Sequence, residues 1–123
     1  MSDRTLQLHL VSDSTGETVH QVARAALAQF NNVATSEHIW TLVRTTAHVD
    51  TIGMAIKRNP GILIYSVVDS DIRIQIEKIC RQAGIPSISV LDPLVTLLTS
   101  VIGYEGSGRP GSQHKMDNAY FER

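Results

Sequence analysis

Apolar and polar positions along this chain switch repeatedly between a period of two and a period of 3.6. Leu6 to Val11 (L-Q-L-H-L-V) alternates and reads as a strand. From Val19 the apolar residues fall at 19, 22, 23, 26, 27 and 30, one face of a helix running from Thr18 to about Asn31, where Asn31-Asn32 supplies a stop. A polar link, Thr35-Ser36-Glu37, leads into a β-rich run from His38 to Val43. A weaker helix follows from about Ala47 to Arg58, with apolar positions at 49, 52 and 56 and Gly53 inside it. Asn59-Pro60-Gly61 breaks the chain, and Ile62 to Val68 is almost continuously apolar, as expected of a strand covered on both faces. Asp69 or Ser70 can cap a third helix whose apolar face is Ile72, Ile76, Ile79, Cys80 and Ala83, with Gly84 as its stop and Pro86 beyond. Ile88 to Leu91 is a short fourth strand. Asp92-Pro93, a cap and a first-turn proline, opens a fourth helix with Leu94, Leu97, Leu98, Val101 and Ile102 on its face.

Four strand–helix units in succession predict an α/β fold: an open, parallel, four-stranded sheet with helices on both faces, of the Rossmann or flavodoxin-like kind. The expected strand order is 2-1-3-4, which makes the first strand central and puts a switch point between the first and third. The turn after the first strand and the segment Ser66 to Asp71 then open into one crevice. Residues 1–102 form this α/β domain. Residues 103–123 carry Gly103, Gly106, Gly108, Pro110 and Gly111 and read as a flexible C-terminal linker, then the first turns of a helix cut at Arg123.

The crevice singles out Ser12-Asp13-Ser14-Thr15-Gly16-Glu17-Thr18. Ser14-x-x-Glu17 fits a capping box, in which the serine oxygen and the glutamate carboxylate satisfy free amides at a helix start. A strand feeding a tight polar turn into a helix aims amides and a positive dipole end at whatever lies above the sheet, where phosphate or carboxylate ligands sit. An ordinary capped turn needs only one or two such side chains, and the segment has four hydroxyls: Ser12, Ser14, Thr15 and Thr18. On the residues alone, both a capped turn and an anion site stand. Asp13 can serve as a general base or metal-holding carboxylate, or as a turn residue bonding its own backbone. Asp69 and Asp71 suit the start of the third helix.

Composition narrows the classes. The chain has 123 residues, 42% hydrophobic and 19% charged, enough for one globular core. A net charge of −1 gives no broad basic field for nucleic acid, and no apolar run reaches the length of a membrane span. Met1 to Arg4 lead straight into the first strand with no signal-peptide pattern, so a cytoplasmic protein is expected. Cys80, the single cysteine, sits at a core position and reads as a buried small hydrophobe. Gly106 to Gly111 matches G-x-G-x-x-G but follows a helix and is interrupted by Pro110, so it reads as linker; no P-loop string occurs. The histidines at 9, 20, 38, 48 and 114 show no metal-ligand spacing, and no metal is expected. His20, one turn from the loop, and the lone arginines Arg44 and Arg109 can reach an anion or simply face solvent.

His9 to Thr18, followed by Val22-Ala23-Arg24-Ala25 and Gln29-Phe30, closely resembles the N-terminal half of the bacterial pyruvate, phosphate dikinase regulatory proteins, with the phosphoenolpyruvate synthase regulatory proteins as near relatives. Leu42-Val43-Arg44, Ile64-Tyr65-Ser66, Gly84-Ile85-Pro86 and Gly111-x-x-His114…Tyr120-Phe121-x-Arg123 agree in order. Ser14 with Gly16-Glu17 is more similar to the dikinase branch.

The resemblance implies a bifunctional enzyme. Such proteins phosphorylate a threonine of the dikinase with ADP as donor, and remove that phosphate by attack of inorganic phosphate, releasing pyrophosphate. Their P-loop lies in a C-terminal half, so no cofactor is expected on these residues, no catalytic residue is assigned, and the chain alone is expected to be silent. What carries over is the Ser12–Thr18 loop. The competing expectation is a non-catalytic module that docks on the dikinase or synthase or builds a homodimer.

Overall fold

The computed structural model describes residues 5–103. The elements run β1 (Leu6–Ser12), α1 (Glu17–Leu27), β2 (Thr35–Trp40), α2 (Thr46–Arg58), β3 (Ile62–Ser66), α3 (Ser70–Ala83), β4 (Ser87–Ser89) and α4 (Asp92–Ile102). All pairings are parallel and the strand order is β2-β1-β3-β4, as the sequence predicts. β1 is therefore flanked on both sides, with His9 opposite His38 on β2 and Leu63 on β3.

Side-chain alternation splits the core in two. Leu8 and Leu10 of β1 pack with Val19 and Ala23 of α1 on one face of the sheet. Val11, Leu63 and Tyr65 pack with Val49, Ile52 and Ile56 of α2 and Ile72, Ile76, Ile79 and Cys80 of α3 on the other. Cys80 is buried as expected, and burial pushes its thiol pKa up to about 11, so it remains a protonated, inert packing group. Gly61 explains the tight entry into β3: a Cβ there would stand 1.9 Å from the backbone oxygen of Gln7.

The helix signals divide into those that hold and those that fail. Asp69 caps α3 by accepting from the amides of Asp71 and Ile72, and Gly84 closes it in the left-handed conformation. The expected Ser14–Glu17 capping box is not formed. The residue before α1 is Gly16, with φ 88, and no side chain caps that helix. Ser14 lies two residues too early to reach the first turn. Asp92 does not cap α4 either; that place falls to Leu91, and Asp92 pairs with Arg73 of α3. Thr45 caps α2 through its hydroxyl to the His48 amide.

Several boundaries move. α1 stops at Leu27 rather than Asn31, β2 runs 35–40 rather than 38–43, β3 ends at Ser66 rather than Val68, and β4 occupies 87–89 rather than 88–91. Val43 and Val67 are apolar because they are buried loop residues, not because they are strand. The larger surprise is α4: its apolar face, expected against the sheet, has no buried residue.

A candidate anion-binding site at the end of β1

The loops after β1 and β3 meet as expected, and hydrogen bonds join them to each other and to the segment after β2. Val43 N donates to Ser12 O and Leu42 N to Ser14 O, both at 2.9 Å, so the segment after β2 lies along the loop after β1. Asp13 N donates to Ser66 O, and the Val68 amide donates to Asp13 Oδ2 at 2.9 Å. The loops after β1, β2 and β3 thus converge at the carboxyl ends of the strands, the position where open α/β sheets bind ligands.

Within Ser12–Thr18 the residues separate into scaffold and surface. Ser12 and Asp13 are buried, and Ser12 Oγ accepts from the Ser14 amide at 3.0 Å, closing a turn. Asp13 is the hinge of the site, held by its backbone to β3 and by its carboxylate to the segment after β3. Burial raises its carboxyl pKa, while the Val68 amide and the nearby Arg44 guanidinium act in the opposite direction. Gly16 is buried in the left-handed region, and a Cβ there would come within 3.1 Å of the Thr41 side chain. That combination of φ and close approach requires glycine.

Ser14, Thr15, Glu17 and Thr18 are exposed. His20 N donates to Gly16 O, which leaves the amides of Glu17, Thr18 and Val19 without acceptors in the helix, and no side chain takes their place. Arg44 donates through Nε to the backbone oxygen of Asp13 at 2.8 Å, which fixes its guanidinium beside the loop. Uncapped amides, the three exposed hydroxyls of Ser14, Thr15 and Thr18 and an anchored guanidinium form a set of donors suited to a phosphoryl oxygen. Glu17 is the exception: its carboxylate complements the helix dipole itself and weakens the field an incoming anion would meet.

Other candidates are placed elsewhere. His20 lies 3.3 Å from Glu37 on β2, so its partner is that carboxylate rather than the loop. Asp69 and Asp71 serve the start of α3, Asp69 as its cap and Asp71 in its first turn. Arg109, His114 and the glycine-rich string 106–111 lie outside the described residues. Sequence reading missed the stacking of His9 on His38, ring centroids 4.6 Å apart, which only the β1–β2 register reveals. It also missed Leu42, whose φ of 54 puts a non-glycine residue in the left-handed region at the rim of the crevice. Among the described residues no cluster of three or more His, Cys, Asp or Glu is placed to hold a metal ion, and no helix is long and apolar enough to cross a membrane. A cavity of about 420 Å³ lies between β4 and α3, but its carboxylates are engaged internally, Glu77 with the Tyr65 hydroxyl and Asp92 with Arg73.

Residues 8–123 match the kinase/pyrophosphorylase family model. The chain belongs to the kinase/pyrophosphorylase family. Similar proteins are provisionally named pyruvate, phosphate dikinase regulatory proteins. One from Rhizorhabdus wittichii is 46% identical over 96% of this chain and 43% of its own length. Another, from Novosphingobium aromaticivorans, is 45% identical over 96% of this chain and 42% of its own length. A third, from Paramagnetospirillum magneticum, is 45% identical over 98% of this chain and 39% of its own length. The chain thus spans less than half the length of these relatives.

Proposed function

We propose that this chain supplies the α/β domain of a regulator that phosphorylates a threonine of pyruvate, phosphate dikinase and later removes that phosphate. In the forward step the threonine Oγ attacks the β-phosphorus of ADP, AMP leaves, and the hydroxyl proton passes to a base. In the reverse step an oxygen of inorganic phosphate attacks the phosphothreonine phosphorus, the threonine oxygen leaves and takes up a proton, and pyrophosphate forms. Both steps pass a doubly or triply charged phosphoryl group between oxygens, so positioning and charge stabilisation carry the catalysis.

The observation that supports a role for this domain is the anchoring of Arg44 by Asp13 O beside the uncapped start of α1, with Ser14 and Thr15 exposed between them. On this reading Ser12, Asp13 and Gly16 set the shape of the loop. Ser14, Thr15, Arg44 and the amides of Glu17 and Thr18 hold a phosphate oxygen of phosphothreonine or inorganic phosphate. ADP is held by the P-loop that family proteins carry elsewhere, since no such string occurs in these 123 residues. The setting is cytoplasmic, and neither nucleic acid nor membrane takes part.

Ser14→Ala with Thr15→Ala in the full-length protein tests the reading. At least one of the two activities is expected to fall by about ten- to a hundred-fold, the range for losing one or two charge-assisted hydrogen bonds in a transition state. Unchanged kinetics in both directions overturn it. A second reading, a docking or dimerising module acting on the dikinase or on phosphoenolpyruvate synthase, draws on the bare apolar face of α4.

A further inference from the structure

Leu42 is the residue at the crevice whose identity the fold does not explain. Two non-glycine residues among those described have a positive φ, Asn32 at 61 and Leu42 at 54. Asparagine tolerates that region because its short polar side chain bonds locally, whereas a leucine crowds its Cβ against the following carbonyl oxygen. Packing does not return the cost: Leu42 is 57% exposed, while its neighbour Val43 is fully buried. Glycine would meet the same backbone requirement with less strain. A strained residue whose side chain adds nothing to the core points to a role at the surface.

The backbone sets where that side chain stands. Leu42 N donates to Ser14 O at 2.9 Å, which ties Leu42 to the loop that carries the exposed hydroxyls. Ile39, in register with Leu10 of β1, is exposed as well. Its Cγ2 and that of Thr41 come within 3.6 and 3.1 Å of the place a Cβ would take on Gly16. β2 is an edge strand, paired with β1 alone among the described residues. The donors of the loop are thus bordered on the β2 side by an apolar rim of Ile39, the Thr41 methyl and Leu42.

The proposed function asks one loop to meet a phosphoryl group in two forms, on a threonine within a polypeptide and as free inorganic phosphate. The hydroxyls, amides and guanidinium serve both. An apolar rim serves only the polypeptide, because inorganic phosphate has no apolar surface to bury. Successive Cα atoms are about 3.8 Å apart, so the residues flanking a threonine seated at Ser14 lie within reach of Leu42. We infer that Leu42, together with Ile39, is a specificity-determining contact that receives an apolar side chain flanking the phosphothreonine of the protein substrate, an inference that rests on the anion-binding reading of Ser12–Thr18.

The test is a titration of the ¹⁵N-labelled chain with inorganic phosphate and with two phosphothreonine tripeptides, one flanked on both sides by leucine and one by glycine. The leucine-flanked peptide is expected to bind about ten-fold tighter, the return on burying roughly 60 Å² of apolar surface. Leu42→Asn keeps a residue that accepts the left-handed region and removes the apolar contact. It is expected to stay folded by circular dichroism, to retain phosphate binding and to bring the ratio of the two peptide affinities to about one. Leu42→Met is expected to restore the preference. Equal affinities of the two peptides for the wild type overturn the inference and leave the anion site standing, as does binding of phosphate without either peptide. A preference that survives in folded Leu42→Asn overturns it by placing the contact elsewhere. If phosphate and both peptides all fail to bind saturably, the anion reading falls and the inference falls with it.

Discussion

The Asp13 carboxylate accepts the Val68 amide proton at 2.9 Å, joining the end of β1 to the segment after β3 across 55 residues of sequence. That bond closes the crevice on one side as the Arg44–Asp13 bond does on the other. Asp13 thereby ties two loops together through a carboxylate whose charge works against stability.

Burial raises the Asp13 pKa above its ordinary value of 3.8. A carboxyl that holds its proton more tightly when folded penalises folding once ionised. The penalty is absent below the unfolded pKa and present in full above the folded one. Asp13→Asn keeps an acceptor for Val68 and removes the charge, so it is expected to raise the thermal midpoint at pH 7, with the gain shrinking as pH falls toward 4. Asp13→Ala removes the acceptor, leaves the amide unpaired and is expected to cost about 1–3 kcal/mol. Thermal melts of both variants across that pH range check the two signs.

His9 predicts an opposite pH dependence. Its ring is fully buried, Nε2 donates to Asn59 O at 2.8 Å, and Nδ1 has no partner among the described residues. Burial lowers its pKa from 6.5, the stacked His38 lowers it further, and the Asn59 carbonyl acts against both. The folded protein therefore keeps His9 neutral while the unfolded chain takes up a proton below about 6.5. Stability is expected to be complete above that pH and to fall as pH drops from 6.5 toward the folded pKa. Among the described residues the groups that act on the ring are His38 from β2 and the backbone of Asn59 at the end of α2, and neither is a carboxylate that would offset a charge. Urea titrations at pH 7.5 and 5.5 should show this loss in the wild type and a smaller one in His9→Gln.

Gly61 admits no side chain. A Cβ 1.9 Å from Gln7 O, a backbone atom of the central strand, can be relieved only by moving β1 or β3. Gly61→Ala is expected to cost ~3 kcal/mol or more, at the upper end for overpacking, and to shift the denaturant midpoint accordingly.

Strand order and the position of the loop are legible in the sequence, because alternating strand and helix periods with right-handed crossovers leave few topologies. The details of the loop are not. Ser14 and Glu17 have capping-box spacing, but Gly16 at φ 88 turns the chain into α1 and leaves the serine outside the first turn. Arg44 appears isolated in sequence, since its neighbours Leu42 and Val43 look like strand. The backbone bonds from Leu42 and Val43 to Ser14 and Ser12 bring it to the crevice. The apolar period of α4 predicts a helix correctly and its burial wrongly, because periodicity records that a face is apolar and not what covers it.

The central claim is that Ser12–Thr18 with Arg44 binds a phosphoryl anion, and titrating the ¹⁵N-labelled chain with phosphate and pyrophosphate tests it most directly. The account predicts saturable amide shifts at Ser14 to Thr18 together with the Arg44 side-chain Nε–H, reduced in Ser14→Ala/Thr15→Ala and in Arg44→Ala. Shifts that are absent, or spread evenly over the surface without saturation, contradict it.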